Sequence, residues 1–136
     1  LKSSVVNSQL KVKEFMISKE ECPIIDIKSS LPNILKKIND FDFGYVLVEN
    51  SNKEFVGIIS MADVRRGLIK KEFDIKNIDA HDIINHRPVT VRTSDNINYM
   101  LKTIQNHDFL ISFIPVVDNK KIKGSITFFN LINSES

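Results

Sequence analysis

Tryptophan is absent, and cysteine occurs once, as Cys22, so the chain cannot close an internal disulfide. No CxxC pair exists to hold a metal, and the three histidines, His81, His86 and His107, have no ligand-like spacing. No apolar run approaches the roughly 20 residues of a membrane helix. The opening "LKSSVVNSQLKVKE" lacks the continuous apolar centre of a signal peptide. Charge bias is missing too. Nineteen Lys and Arg against 17 Asp and Glu leave a formal charge of +2, with the basic residues scattered. Neither a nucleic acid nor a membrane is expected as partner. No nucleophile elbow or oxyanion-hole signature accompanies any serine, so catalysis within this chain is not expected. A lone thiol suits a reducing cytoplasm.

The 136 residues that remain are 42% apolar and 26% charged, enough for one compact domain or two small halves. The chain opens on Leu rather than Met, which fits a piece of a longer protein with residues 1–9 as linker remnant.

The chain repeats itself. "SSLPNILKKI" carries a candidate N-cap in Ser30, Pro32 in the first turn, and an apolar face of Leu31, Ile34, Leu35 and Ile38. In "SDNINYMLKTI", 66 residues on, Ser94 or Asp95 can cap, and Ile97, Met100, Leu101 and Ile104 repeat that spacing. Before each helix a proline opens a β-rich run, "PIIDI" and "PVTV". After each come a strand ("YVLV", "FIPVV"), a polar turn, and a second strand around one glycine, Gly57 or Gly124. A helical piece closes each half, "MADVRRGLIK" and "FFNLIN". Each unit reads strand–helix–strand–strand–helix, over 10–70 and 78–133, with 71–77 ("KEFDIKN") as connector. Units this small bury little alone, so an α/β (α+β) module is expected in which two such repeats cover each other.

Ser60 and Asp63 mark the first strand-to-helix junction. They can form a capping box, each satisfying a backbone N–H of the other. They can equally hold a ligand: a carboxylate takes two adjacent hydroxyls, a serine donates or accepts, and the helix start favours an anion. The two roles are compatible. In the second half Thr127 keeps the hydroxyl, but Asn130 replaces the acid.

These runs resemble a known family, the tandem cystathionine-β-synthase (CBS) pair or Bateman module, over about Leu10 to Ile132. The resemblance is carried by the pre-strand helix "VKEFMI" and its poorer counterpart "AHDII", by "IPVVD", and by "GIISMAD" with its degraded copy "GSITFFN". It implies two β-α-β-β-α repeats packed sheet to sheet with pseudo-two-fold symmetry. It also implies a nucleotide or nucleotide-sugar effector in a cleft between them, and a homodimer stacked through helices. By the same resemblance Ser60 and Asp63 would hold ribose, with Thr127 and Asn130 as the weaker equivalent. Ile24, Ile25, Val89 and Thr90, with Pro23 and Pro88, would line the base, although plain core strand is the other reading of Ile24 and Val89. Adenylate-sensing members place a basic residue just before the "LPV" strand. Here that place falls near Phe43, Gly44, Ser112 and Phe113, which leaves Arg65, Arg66, Arg87 and Arg92 as cations for phosphate.

Within the family, "VKEFMISKEECPII", "GIISMADVRRGLIK" and "IDAHDIINHRPVTV" look most like the C-terminal pair of arabinose-5-phosphate isomerases. That resemblance implies a catalytic sugar-phosphate isomerase domain elsewhere in the parent chain, with an adenosine nucleotide or a CMP-sugar as effector. The alternative is a ligand-free structural or oligomerisation module.

Overall fold

The computed structural model describes residues 10–106 and 112–128. In chain order the elements are β1 (Ile17–Ser18), β2 (Ile24–Asp26), α1 (Leu31–Phe41), β3 (Tyr45–Glu49), β4 (Phe55–Ser60), α2 (Met61–Lys70), α3 (Ala80–Ile83), α4 (Ile97–Gln105), β5 (Phe113–Asp118) and β6 (Lys121–Thr127). Short 3-10 turns lie at Val12–Glu14, Lys19–Glu21 and Ile75–Asn77. The fold is mixed α/β with two three-stranded sheets, β2-β3-β4 and β1-β6-β5. The final helical piece expected from Phe128 onward lies, beyond Phe128, outside the described residues.

Two compact units result. One is Cys22–Pro88; the other gathers residues 10–21 with 89–128. Counted along the sequence the repeats begin near 10 and 78. In space, each lead segment belongs with the core of the other repeat.

In the unit Cys22–Pro88, Ser30 caps α1 by accepting the Asn33 N–H at 3.4 Å, and Pro32 occupies the first turn. Leu31, Ile34 and Ile38 are buried against Ile25, Val46, Val48, Ile59 and Val64, with Leu35 at the rim of the cluster. β2 runs parallel to β3, and β3 antiparallel to β4, with a bulge between Val48 and Glu49. The lead segment closes the unit at two points. Asp79 bridges to Ser30 at the start of α1, and Asn85 exchanges two backbone hydrogen bonds with Ile58, of 3.0 and 2.8 Å.

The other unit repeats this plan. Lys11 bridges to Asn96, while Ile17 and Ser18 pair with Ser125 and Gly124. Val12 is the buried counterpart of Ala80. The expected helix over "VKEFMI" is a single 3-10 turn, Val12–Glu14, because the chain must already be extended at Ile17 to join β6. The α4 cap is Asn96, whose Oδ1 accepts the Tyr99 N–H at 2.8 Å, rather than Ser94 or Asp95. Asp95 is engaged instead by the Arg92 N–H at 2.8 Å. Leu101 is 41% exposed, at the edge of a face that buries Met100.

The run "PVTV" is not a strand. It is reduced to one parallel bridge, Val91 to Val116. The cause is Pro115. In the first unit the Leu47 N–H donates to the Pro23 carbonyl at 2.9 Å. Pairing registers put Pro115 in the place of Leu47, and proline has no N–H to donate. The same register equates Ile25 with Val91.

Gly57 and Gly124 occupy equivalent places, opposite Val48 and Val116. A Cβ on Gly57 would strike the Asn85 carbonyl oxygen, and one on Gly124 the Ile17 carbonyl oxygen. Each glycine is thus the gap through which the lead segment reaches the hairpin. We expect Gly57→Ala and Gly124→Ala each to lower stability by about 1–3 kcal/mol through forced backbone shifts. Urea unfolding midpoints measure this, and unchanged midpoints would show that the pairing is dispensable.

Candidate functional site

β4 ends at Ser60 and α2 begins at Met61 with no residue between. The junction is held from both sides. The Met61 N–H donates to the Gly44 carbonyl at 3.1 Å, so the residue before β3 fixes the first turn of α2. Gly44 has a φ of 80°, in the left-handed region that favours glycine, and the space a Cβ would enter there is open. Phe43 stacks on the buried ring of Tyr45 at 5.9 Å between centroids. Because β2 and β3 are parallel and β4 is antiparallel to β3, the start of β2 and the end of β4 lie at the same end of this sheet.

Ser60 and Asp63 form the reciprocal capping box. Ser60 Oγ accepts the Asp63 N–H at 3.3 Å, and the Ser60 N–H donates to Asp63 Oδ2 at 2.8 Å. Ser60 Oγ–H donates to the same Oδ2 at 2.9 Å. Asp63 Oδ1 accepts from Arg66 at 2.7 Å. The Asp63 side chain is 12% exposed and that of Arg66 64%. The negative end of this cluster therefore sits where the helix start is positive, which stabilises both.

The other expected residues fall in distinct places. Ile25 is buried in the hydrophobic core, and Ile24 is half-buried opposite Leu47. Arg65 is exposed. Val89 is half-buried against the core of the second unit, and Thr90 is exposed. Thr127 ends β6 as Ser60 ends β4, and the Phe128 N–H donates to the Ser112 carbonyl at 3.0 Å, as Met61 does to Gly44. Thr127 is 7% exposed, and its Oγ1 has no hydrogen-bond partner among the described residues. Asn130 lies outside the described residues. The structure thus gathers Ser60, Asp63 and Arg66 with Gly44 at one sheet end. The Arg66 pairing was open from the sequence alone, yet its three-residue spacing from Asp63 was the signal, since such residues are neighbours on a helix. Among the described residues no group of His, Cys, Asp and Glu could hold a metal ion, and no helix is long and apolar enough to cross a membrane.

The capping role is measurable without ligand. Ser60→Ala removes the acceptor of the Asp63 N–H and one donor to Oδ2, and should lower stability by about 0.5–2 kcal/mol. Denaturant titration checks this. A change near zero would leave the junction held by Gly44 and Asp63 alone.

The family model described as CBS domain matches residues 12–70 and 80–135. The uncharacterized protein YlbB of Bacillus subtilis is 27% identical over 128 residues, covering 92% of this chain and 82% of YlbB. An uncharacterized protein of Chlamydia trachomatis is 25% identical over 108 residues, 79% of this chain. The matched region is about a third of that relative's length. A CBS domain-containing protein of unknown function from Bacillus anthracis superposes with a TM-score of 0.80 at 20% identity, over 98% of this chain and 99% of that one. CBSX2 in complex with AMP gives 0.76 at 21% identity, over 92% and 95%. CbpB in complex with c-di-AMP gives 0.75 at 18% identity, over 98% and 91%. At these identities the likeness is one of fold.

Proposed function

Since the chain belongs to the CBS-domain family and carries two copies in tandem, we propose that it is a regulatory module whose effector is an adenosine nucleotide. The ribose of that nucleotide would be held by Ser60 and Asp63. The observation that carries this reading is the Asp63 carboxylate, held in place by Ser60 at a strand-to-helix junction. A fixed carboxylate is the group a vicinal diol needs, and the first turn of α2 supplies a positive field for phosphate. That proteins of this fold hold AMP and c-di-AMP supports the adenosine class. Thr127 offers a second hydroxyl at the equivalent place, with Asn130 in the sequence where the first copy has its acid, so the first copy is the stronger half-site. Ile24 in β2, with Val89 and Thr90 in the equivalent extended run of the second copy, would contact the base; Ile25 serves the core.

A ligand changes an attached activity only through unequal affinity for two states. The partner would be a catalytic domain of a parent chain. The greater length of the chlamydial relative supports such an arrangement. The resemblance of "VKEFMISKEECPII" and "GIISMADVRRGLIK" to arabinose-5-phosphate isomerases would make that domain a sugar-phosphate isomerase, and in that setting a CMP-sugar is a second effector to test. The exposed Ile69 near the end of α2, with Phe73 and Ile75 in the turns beyond it, suits a homodimer that buries this edge.

One observation favours the structural alternative. Both Asp63 oxygens are already engaged inside the chain, so the residue is accounted for without any ligand. Calorimetric titration with AMP, ATP, c-di-AMP, S-adenosylmethionine and a CMP-sugar separates the two. Heat of binding from an adenosine nucleotide is expected, and silence with all five would leave the structural module standing. Asp63→Asn preserves size and makes the first copy match the second. It should weaken adenosine-nucleotide binding by about tenfold or more, because it replaces charge-assisted hydrogen bonds with neutral ones. Undiminished affinity would move the ligand away from Asp63.

A further inference from the structure

The pairing of Arg66 with Asp63 bears on which ligands the site can accept. A carboxylate offers about four lone-pair sites. On Asp63 three are taken: two on Oδ2, by the Ser60 N–H and Oγ–H, and one on Oδ1, by Arg66. A ribose diol brings two donors, and one place is left. One existing partner must leave. The Ser60 N–H cannot go without opening the start of α2. Turning the Ser60 hydroxyl away would free a site only on the part-buried Oδ2, which the cap uses, and not on Oδ1. Arg66 is the releasable partner: its side chain is 64% exposed, and exposed ion pairs are weak.

We propose that Arg66 is a latch on Asp63 that makes the site select phosphorylated nucleosides over bare ones. The inference rests on the ribose reading of Ser60 and Asp63. A bare nucleoside exchanges a charged donor for a neutral hydroxyl and leaves the guanidinium without an anion. A nucleotide brings a phosphate that the freed guanidinium can take, in the fork geometry that suits it. Arg66 therefore opposes the binding of one class and assists the other. An arginine that merely touched phosphate would assist the nucleotide and leave the nucleoside unaffected.

The test is titration calorimetry of AMP and adenosine against the wild-type chain, Arg66→Ala and Lys70→Ala. Lys70 is exposed in the last turn of α2, so its removal makes the same charge change without touching Asp63. Wild type should favour AMP by about tenfold or more. In Arg66→Ala, AMP should weaken and adenosine should tighten by roughly threefold or more, the release of a surface ion pair. Lys70→Ala should leave adenosine unchanged. The latch is overturned if Arg66→Ala fails to tighten adenosine while AMP binding still depends on Asp63, or if Lys70→Ala tightens adenosine equally. If neither compound binds any of the three chains, the nucleotide reading falls and takes the latch with it.

Discussion

The structure depends on a close backbone approach at two glycines. The carbonyl of Asn85 lies where a side chain on Gly57 would be, and that of Ile17 where a side chain on Gly124 would be. Each contact lets a lead segment add its backbone to the last strand of a hairpin. Without it the Ile58 N–H and carbonyl, both used by Asn85, would lose their partners on that side. The approach also sets where the lead segment's apolar residues fall. Ala80 and Ile83 complete one core, and Val12, with Phe15 and Met16 at its rim, completes the other. A unit of some 60 residues has little apolar area to spare, so these few side chains matter.

The same economy governs the strand-to-helix junction. β4 passes into α2 without a connecting residue, so the first N–H groups of the helix need partners at once. Gly44 supplies a carbonyl to Met61, and Ser60 supplies its hydroxyl to Asp63. Only a residue tolerant of φ near 80° can turn the chain at Gly44 while keeping the space beside it clear. The features that cap the helix thus also hold an ionised group at the end of the sheet. The atoms that hold the helix start are the same ones to which the proposed ligand contacts are assigned.

Much of this was readable from the sequence, and the exceptions have physical causes. The repeat, the α1 face and its Ser30 cap follow local periodicity, which a sequence displays directly. The α4 cap was misplaced because Ser94, Asp95 and Asn96 are all capable; the 66-residue offset from Ser30 points to Asn96, and the structure agrees. The loss of the strand at "PVTV" was written in Pro115, but only the register shows that its missing N–H falls opposite that run. The pairing of Ile17 with Ser125 was not readable at all. No local pattern names a partner more than a hundred residues away, and the two halves offer each lead segment two similar hairpins.

The site shows a different limit. A sequence cannot separate a capping box from a ribose grip when both use Ser60 and Asp63, since the two roles demand the same residue types at the same spacing. Geometry narrows the question by accounting for lone pairs. A cap needs only Oδ2, which the Ser60 N–H and hydroxyl fill. Oδ1 is surplus to the cap, faces the most exposed of the partners, and is held by a side chain that can swing away. One oxygen serves the fold and the other is paired only with an exposed side chain, which is the division of labour the proposed nucleotide site requires.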